Sequence, residues 1–258
     1  MLAPTVLGRI LQRERLLASI ALVVVVALCW SYLLTGAGTM QDMGGMAMPM
    51  SLWPWTMAHA ALMFLMWLVM MTAMMLPGAS PAILLYSHIS ARSNAGPSAA
   101  PLLFALGYLA AWACFSLMAV LAQFLLEWVG LLSSMMEATS TALSGTLLVA
   151  AGFYQLTPLK RACLQACRSP LDFLMLHWQP GKAGALKMGI QHGAYCVACC
   201  WALMLLLFVG GVMNLAWILG IALYVLAEKL VPGGRRFAWA GGAVLIAAGA
   251  FFLARALL

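Results

Sequence analysis

Sulfur and imidazole are the reactive side chains that this sequence concentrates. Residues 192–201 read His-Gly-Ala-Tyr-Cys-Val-Ala-Cys-Cys-Trp. At about 100° per residue on a helix, His192, Cys196 and Cys199 fall within about 60° of one another, with Cys200 on the flank. One helical face then carries an imidazole and two or three thiols. That donor set suits copper(I) or zinc, whereas magnesium, calcium and manganese prefer the carboxylates it lacks. A plainer reading also exists, since cysteine is a small buried hydrophobe and Gly193 and Ala194 are small enough to serve close helix contact. If the segment crosses a membrane, however, a histidine within it reads as functional by default.

A second cluster precedes the first. On the apolar run at 57–77, His59, Met63, Met66, Met70 and Met74 share one helical stripe, which Met71 and Met75 widen. Thioether sulfur is a neutral, soft and weak ligand, suited to transient binding of copper(I) or silver(I); methionine is also a flexible gap filler in helix cores. Residues 40–50 read Met-Gln-Asp-Met-Gly-Gly-Met-Ala-Met-Pro-Met. The thioethers of Met43, Met46, Met48 and Met50 in this glycine-containing segment look like a metal-capturing loop, the alternative being an interfacial segment beside Trp53 and Trp55. Farther along, Cys163 and Cys167 lie one turn apart if the stretch after Pro158 is helical. They form a two-thiol clamp in a basic segment, or part of an amphipathic connector. His88 and His177 read as lone polar residues.

The elements that position these groups follow from composition. Of the 258 residues, 66% are hydrophobic and 7% charged, with a mean hydropathy of +1.03, where soluble domains carry about 25% charged residues. Thirteen Lys and Arg with six Asp and Glu cannot coat a globule of this size in water, so lipid is the expected solvent. Six scattered carboxylates argue against paired-carboxylate hydrolysis and magnesium-dependent phosphoryl transfer. Basic residues dispersed between apolar runs argue against nucleic acid as a partner.

Runs of about 20 apolar residues predict an all-α, polytopic transmembrane helix bundle of seven spans, at 16–35, 57–77, 99–128, 136–157, 186–209, 212–230 and 237–257. They form a single integral membrane domain, with a Met-rich outer loop at 36–56 and a basic inner loop at 158–185. The first run is longer than the apolar core of a signal peptide and is expected to remain as an anchor. With the N-terminus in the cytoplasm, every Lys and Arg except Arg255 falls inside, which puts the C-terminus in the periplasm of a bacterial inner membrane. Glu228 and Lys229 are expected to close the sixth span as an interfacial pair. Gln155, Gln191 and Asn214 are expected to hydrogen-bond between helices, and Glu127 and Glu137 have no assigned role.

The blocks containing Met70, Met71, Met74, Met75 and Pro77, then Tyr154, Gln155, Thr157, Pro158, Lys160, Cys163 and Cys167, then Met188, Gly189, His192, Gly193, Tyr195, Cys196, Cys199, Cys200 and Trp201 are followed by Met213, Asn214, Glu228 and Lys229. Together they resemble a bacterial family of predicted metal-binding integral membrane proteins, over about residues 57–232. Ala198 stands where that pattern has glycine, a change that leaves the ligands in place. The resemblance implies a membrane and a metal, and no reaction comes with it.

The expected function is soft-metal binding in transport or delivery rather than enzymatic turnover, with copper(I) the leading ion and zinc the alternative. Met43, Met46, Met48 and Met50 would collect the ion, and the stripe from His59 to Met74 would conduct it. His192, Cys196, Cys199 and Cys200 would bind it more tightly, with Cys163 and Cys167 as inner acceptors and a cytoplasmic or periplasmic metal chaperone as partner. No Gly-rich phosphate loop is visible, so transfer would rest on affinity rising from thioether to thiolate. Two alternatives remain open: a membrane thiol oxidoreductase using Cys196 and Cys199, and an accessory or assembly subunit of a membrane complex.

Overall fold

Runs rich in leucine, alanine and methionine with few breakers favour helix. The computed structural model describes residues 6–36, 40–42, 47–49, 55–92, 100–133 and 136–257, nearly all of them helical. In chain order the helices are α1 (Val6–Leu34), α2 (Met57–Arg92), α3 (Ala100–Trp128), α4 (Thr141–Leu156), α5 (Pro158–Arg168), α6 (Pro170–His177), α7 (Gly181–Leu205), α8 (Leu207–Gly210), α9 (Leu215–Leu230) and α10 (Gly234–Leu257). Between α1 and α2, the short strands β1 (Met40–Asp42) and β2 (Ala47–Pro49) pair antiparallel, with Met48 opposite Gln41. Met43, Met46 and Met50 lie outside the described residues.

Among the described residues, five helices are long and apolar enough to cross a membrane, or six if α4 and α5 count as one broken span. The difference from the seven expected spans lies in α4 and α9, each 16 residues or about 24 Å at 1.5 Å per residue. Capping residues shorten both. The Ser140 hydroxyl accepts from the N–H groups of Ala142 and Leu143 and starts α4 there, and Asn214 Oδ1 accepts from Trp217 N to start α9. Apolar side chains such as Leu16, Val23 and Leu28 on α1 and Val244 and Phe251 on α10 face outward, a surface compatible with a multi-pass membrane protein.

Two features of this bundle set up the site. At the α4–α5 junction, Thr157 Oγ1 accepts from Lys160 N while Pro158, with no N–H to leave unsatisfied, opens α5. The chain turns by 67° here, so α5 lies across the bundle against α7. The second feature is the contact between α3 and α7, which run parallel with Phe104 beside Gly189 and Tyr108 beside Gly193. A Cβ on Gly189 would stand 2.0 Å from Phe104 O, and one on Gly107 2.3 Å from Leu186 O. Backbone therefore meets backbone, the close approach that small residues allow between helices.

Gly189→Ala is accordingly expected to force these helices apart and cost about 1–3 kcal/mol. Gly220→Ala, where an added Cβ meets nothing within 4 Å, serves as control. Thermal unfolding in detergent reads both, and equal midpoints for the two variants would refute the backbone contact.

Candidate metal centre

The α7 face expected to carry thiols does so. Cys196, Cys199 and Cys200 are all buried, and the Sγ atoms of Cys199 and Cys200 are 3.2 Å apart. Cys199 Sγ also reaches Cys196 O at 3.2 Å. The bend before α5 then brings in a fourth sulfur: Cys167 Sγ lies 3.9 Å from Cys199 Sγ, although 32 residues separate them. The α5 clamp and the α7 face, two stations in the sequence reading, thus meet in space. Cys163, one turn before Cys167, is buried as well.

The spacing has a chemical meaning. Two thiolates bound to one tetrahedral ion at about 2.3 Å stand about 3.8 Å apart, close to the 3.9 Å of Cys167 and Cys199. The 3.2 Å between Cys199 and Cys200 is tighter, so one of these thiols must swing outward if both are to hold the same ion. Among the described residues no three His, Cys, Asp or Glu side chains already form a metal-holding group. The cluster is a set of neighbouring buried thiols drawn from α5 and α7.

Cys196 has polar company that sequence spacing did not reveal. Lys229 Nζ lies 3.0 Å from its Sγ, and the Tyr108 hydroxyl 3.1 Å. Lys229 also lies 3.8 Å from Met75 Sδ, and Tyr108 Oη donates to Met75 O at 3.0 Å. Cys196 Sγ is thus an acceptor within hydrogen-bond reach of this buried lysine. The expected interfacial pair of Glu228 with Lys229 is therefore corrected. Consecutive helical residues point about 100° apart, and Glu228 turns the other way. Its carboxylate pairs with Lys160 Nζ at 2.7 Å, with both side chains fully buried, and accepts from Gln155 Nε2 at 2.7 Å. A lysine near the end of an apolar helix looks like a snorkelling residue, and nothing in the spacing links position 108 to 196.

His192 is buried among the rings of Phe104, Tyr108 and Phe173, with centroids at 5.9, 6.0 and 5.0 Å. Its Nδ1 has no hydrogen-bond partner. It thus sits in an aromatic cage one turn from Cys196. His177 stacks on Phe173 and bonds the Phe173 carbonyl through Nδ1.

His59 stands at the opposite end of α2, edge-on to Trp55 at 5.1 Å, and its Nδ1 is buried without a partner. A polar chain begins beside it. Trp55 Nε1 donates to Glu127 Oε2 at 2.8 Å, Gln123 Nε2 donates to Glu127 Oε1 at 2.8 Å, and Trp67 Nε1 donates to Gln123 Oε1 at 2.8 Å. Gln123 Nε2 also reaches Met63 Sδ at 3.4 Å. Met63, Met66, Met70 and Met74 are all buried, as are Met71 and Met75. Of the methionines on α2, it is Met75 that reaches the lysine beside Cys196.

A family model described as PpoB2, copper chaperone, matches residues 64–252. Neither the curated proteins nor the solved structures contain a match to the chain. The matched stretch holds Cys163, Cys167, Cys196, Cys199, Cys200, Lys229 and the stripe from Met66 to Met75, while Met63, His59 and the Met-rich segment precede it. The chain belongs to the PpoB2 copper chaperone family.

Proposed function

We propose that this protein is an integral membrane copper chaperone that holds copper(I) on the thiols of Cys167, Cys196, Cys199 and Cys200 and hands it to a partner protein. The observation that carries this reading is the approach of Cys167 on α5 to Cys199 on α7, 3.9 Å between sulfurs from distant parts of the chain. Thiolates select soft ions, and the family description names copper. Copper(I) between two thiolates leaves one negative charge in excess, which the ammonium of Lys229 offsets at 3.0 Å from Cys196. His192 and Cys163, each one turn along the helix from a thiol of the cluster, are additional donors.

In this reading all seven apolar segments cross a bacterial inner membrane, with the N-terminus in the cytoplasm and the C-terminus in the periplasm. The antiparallel course of α4 along α10, with Gly145 beside Gly249 and Gly152 beside Gly242, supports α4 as one of the crossings. The ion is collected by Met43, Met46, Met48 and Met50 and passes His59, Met63, Met66, Met70 and Met74 toward the thiols. A metal chaperone on either side of the membrane is the partner.

X-ray absorption at the copper edge, on protein purified without oxygen and loaded with one equivalent of copper(I), tests the reading. A first shell dominated by sulfur, lost in Cys167→Ser/Cys199→Ser, is the expected result. A nitrogen and oxygen shell, or zinc displacing copper(I) from the thiols, would overturn it.

A further inference from the structure

Where α1 ends, the bundle holds a cavity of about 250 Å³. Its wall is made by the last turn of α1 from Leu33 to Gly36, by Met66 and Met70 on α2, and by Met213 with Leu215 at the start of α9. Met66 and Met70 stand one turn apart on a single face of α2. Met213 comes from a different segment, the α8–α9 turn, which is fixed by hydrogen bonds from Val212 N to Met136 O and from Asn214 N to Gly211 O. Two segments distant in sequence thus bring three methionines to one cavity.

Methionine is useful in a core because its flexible side chain closes irregular spaces, and here three of them border a space several times the ~30 Å³ that a water molecule occupies. The electrostatics favour a cation. The C-terminus of α1 borders the cavity and presents the negative end of its helix dipole, with the Ser31, Tyr32 and Leu33 carbonyls accepting from Thr35 N, Thr35 Oγ1 and Gly36 N. The opposing positive end, at the start of α9, is capped by Asn214 Oδ1 on Trp217 N. The described lining residues include no carboxylate, thiol or imidazole. Hard divalent cations therefore find no anionic oxygen, while thioether sulfur is a neutral donor suited to a soft monovalent ion, which it binds weakly and exchanges readily.

We infer that Met66, Met70 and Met213 form a second soft-metal site, separate from the thiol cluster and weaker than it, that takes up a monovalent ion such as copper(I) before the thiols receive it. Onward transfer has a route. Met75 lies about 7.5 Å farther along α2 than Met70 at 1.5 Å per residue, and it is within 3.8 Å of the lysine that contacts Cys196. Moving from thioether to thiolate, the ion meets stronger donors at each stage. The inference rests on the proposed copper(I) reading and adds Met213 as its specific element.

The test uses the full chain in detergent, labelled with 13C at the methionine methyls and titrated with silver(I) in chloride-free buffer as a redox-silent stand-in. The methyl signals of Met66, Met70 and Met213 are expected to shift together and to saturate in common. Met213→Leu, close in volume and without a donor, is expected to weaken the response of Met66 and Met70 about ten-fold. The same three signals should still respond in Cys167→Ser/Cys199→Ser, which separates this site from the thiols. A Met213 signal that stays put while Met66 and Met70 move, or an unchanged titration in Met213→Leu, would overturn the inference and leave the thiol reading standing. Loss of the thiol-bound ion alone would do the reverse.

Discussion

Cys199→Ser is expected to lower copper(I) affinity by about 100-fold or more, beyond the 10- to 100-fold that loss of a supporting group around a metal costs. Cys199 has this weight because of its position. Its sulfur lies 3.2 Å from that of Cys200 and 3.9 Å from that of Cys167, so it joins the α7 thiols to the thiol of α5. Serine fills the same space but offers a harder, weakly acidic hydroxyl that does not replace a thiolate toward copper(I). Cys114→Ser, at an exposed cysteine of α3, should leave affinity unchanged and controls for general thiol loss. Anaerobic competition against a chelator of known affinity measures both variants. Equal affinities would remove Cys199 from the centre of the site.

How much of this site was legible in the sequence depends on whether its residues share a helix. The α7 thiols could be read directly, because the 3.6-residue period fixes which of His192, Cys196, Cys199 and Cys200 share a face. The α5 helix was legible too, since Thr157 and Pro158 mark its start and Cys163 and Cys167 are one turn apart. That the two thiol groups meet was not, because their meeting depends on a 67° bend whose angle no local pattern encodes. Lys229 and Tyr108 were missed for the same reason: each reaches Cys196 from another helix. At α4 and α9 the helices are shorter than the spans read from the sequence, because Ser140 and Asn214 cap them and begin each helix later. The methionine stripe was found as a face, but its division between a cavity at Met66 and Met70 and the lysine at Met75 required the neighbouring helices.

Lys160→Met is expected to destabilise the fold by about 3–5 kcal/mol, the range for removing one partner of a buried ion pair. Lys160 and Glu228 are both fully buried and 2.7 Å apart. Without the ammonium, the Glu228 carboxylate would keep its hydrogen bond from Gln155 Nε2 but lose the cation that offsets its charge. The double variant Lys160→Met/Glu228→Leu removes both charges and should regain much of the loss, since a buried pair contributes little net stability over an apolar replacement. The reason to keep the pair is then geometric. Lys160 is in the first turn of α5, Glu228 in the last turn of α9, and Arg168 at the end of α5 donates to the Glu228 and Val231 carbonyls. These contacts fix how α5 lies beneath the bundle and so where Cys167 meets Cys199. The double variant should therefore recover unfolding stability in detergent while still binding copper(I) less tightly than the parent, although none of its thiols has been changed. A single variant as stable as the parent would show that the pair is not structural. A double variant with parental copper(I) affinity would show that α5 is held in register by other contacts.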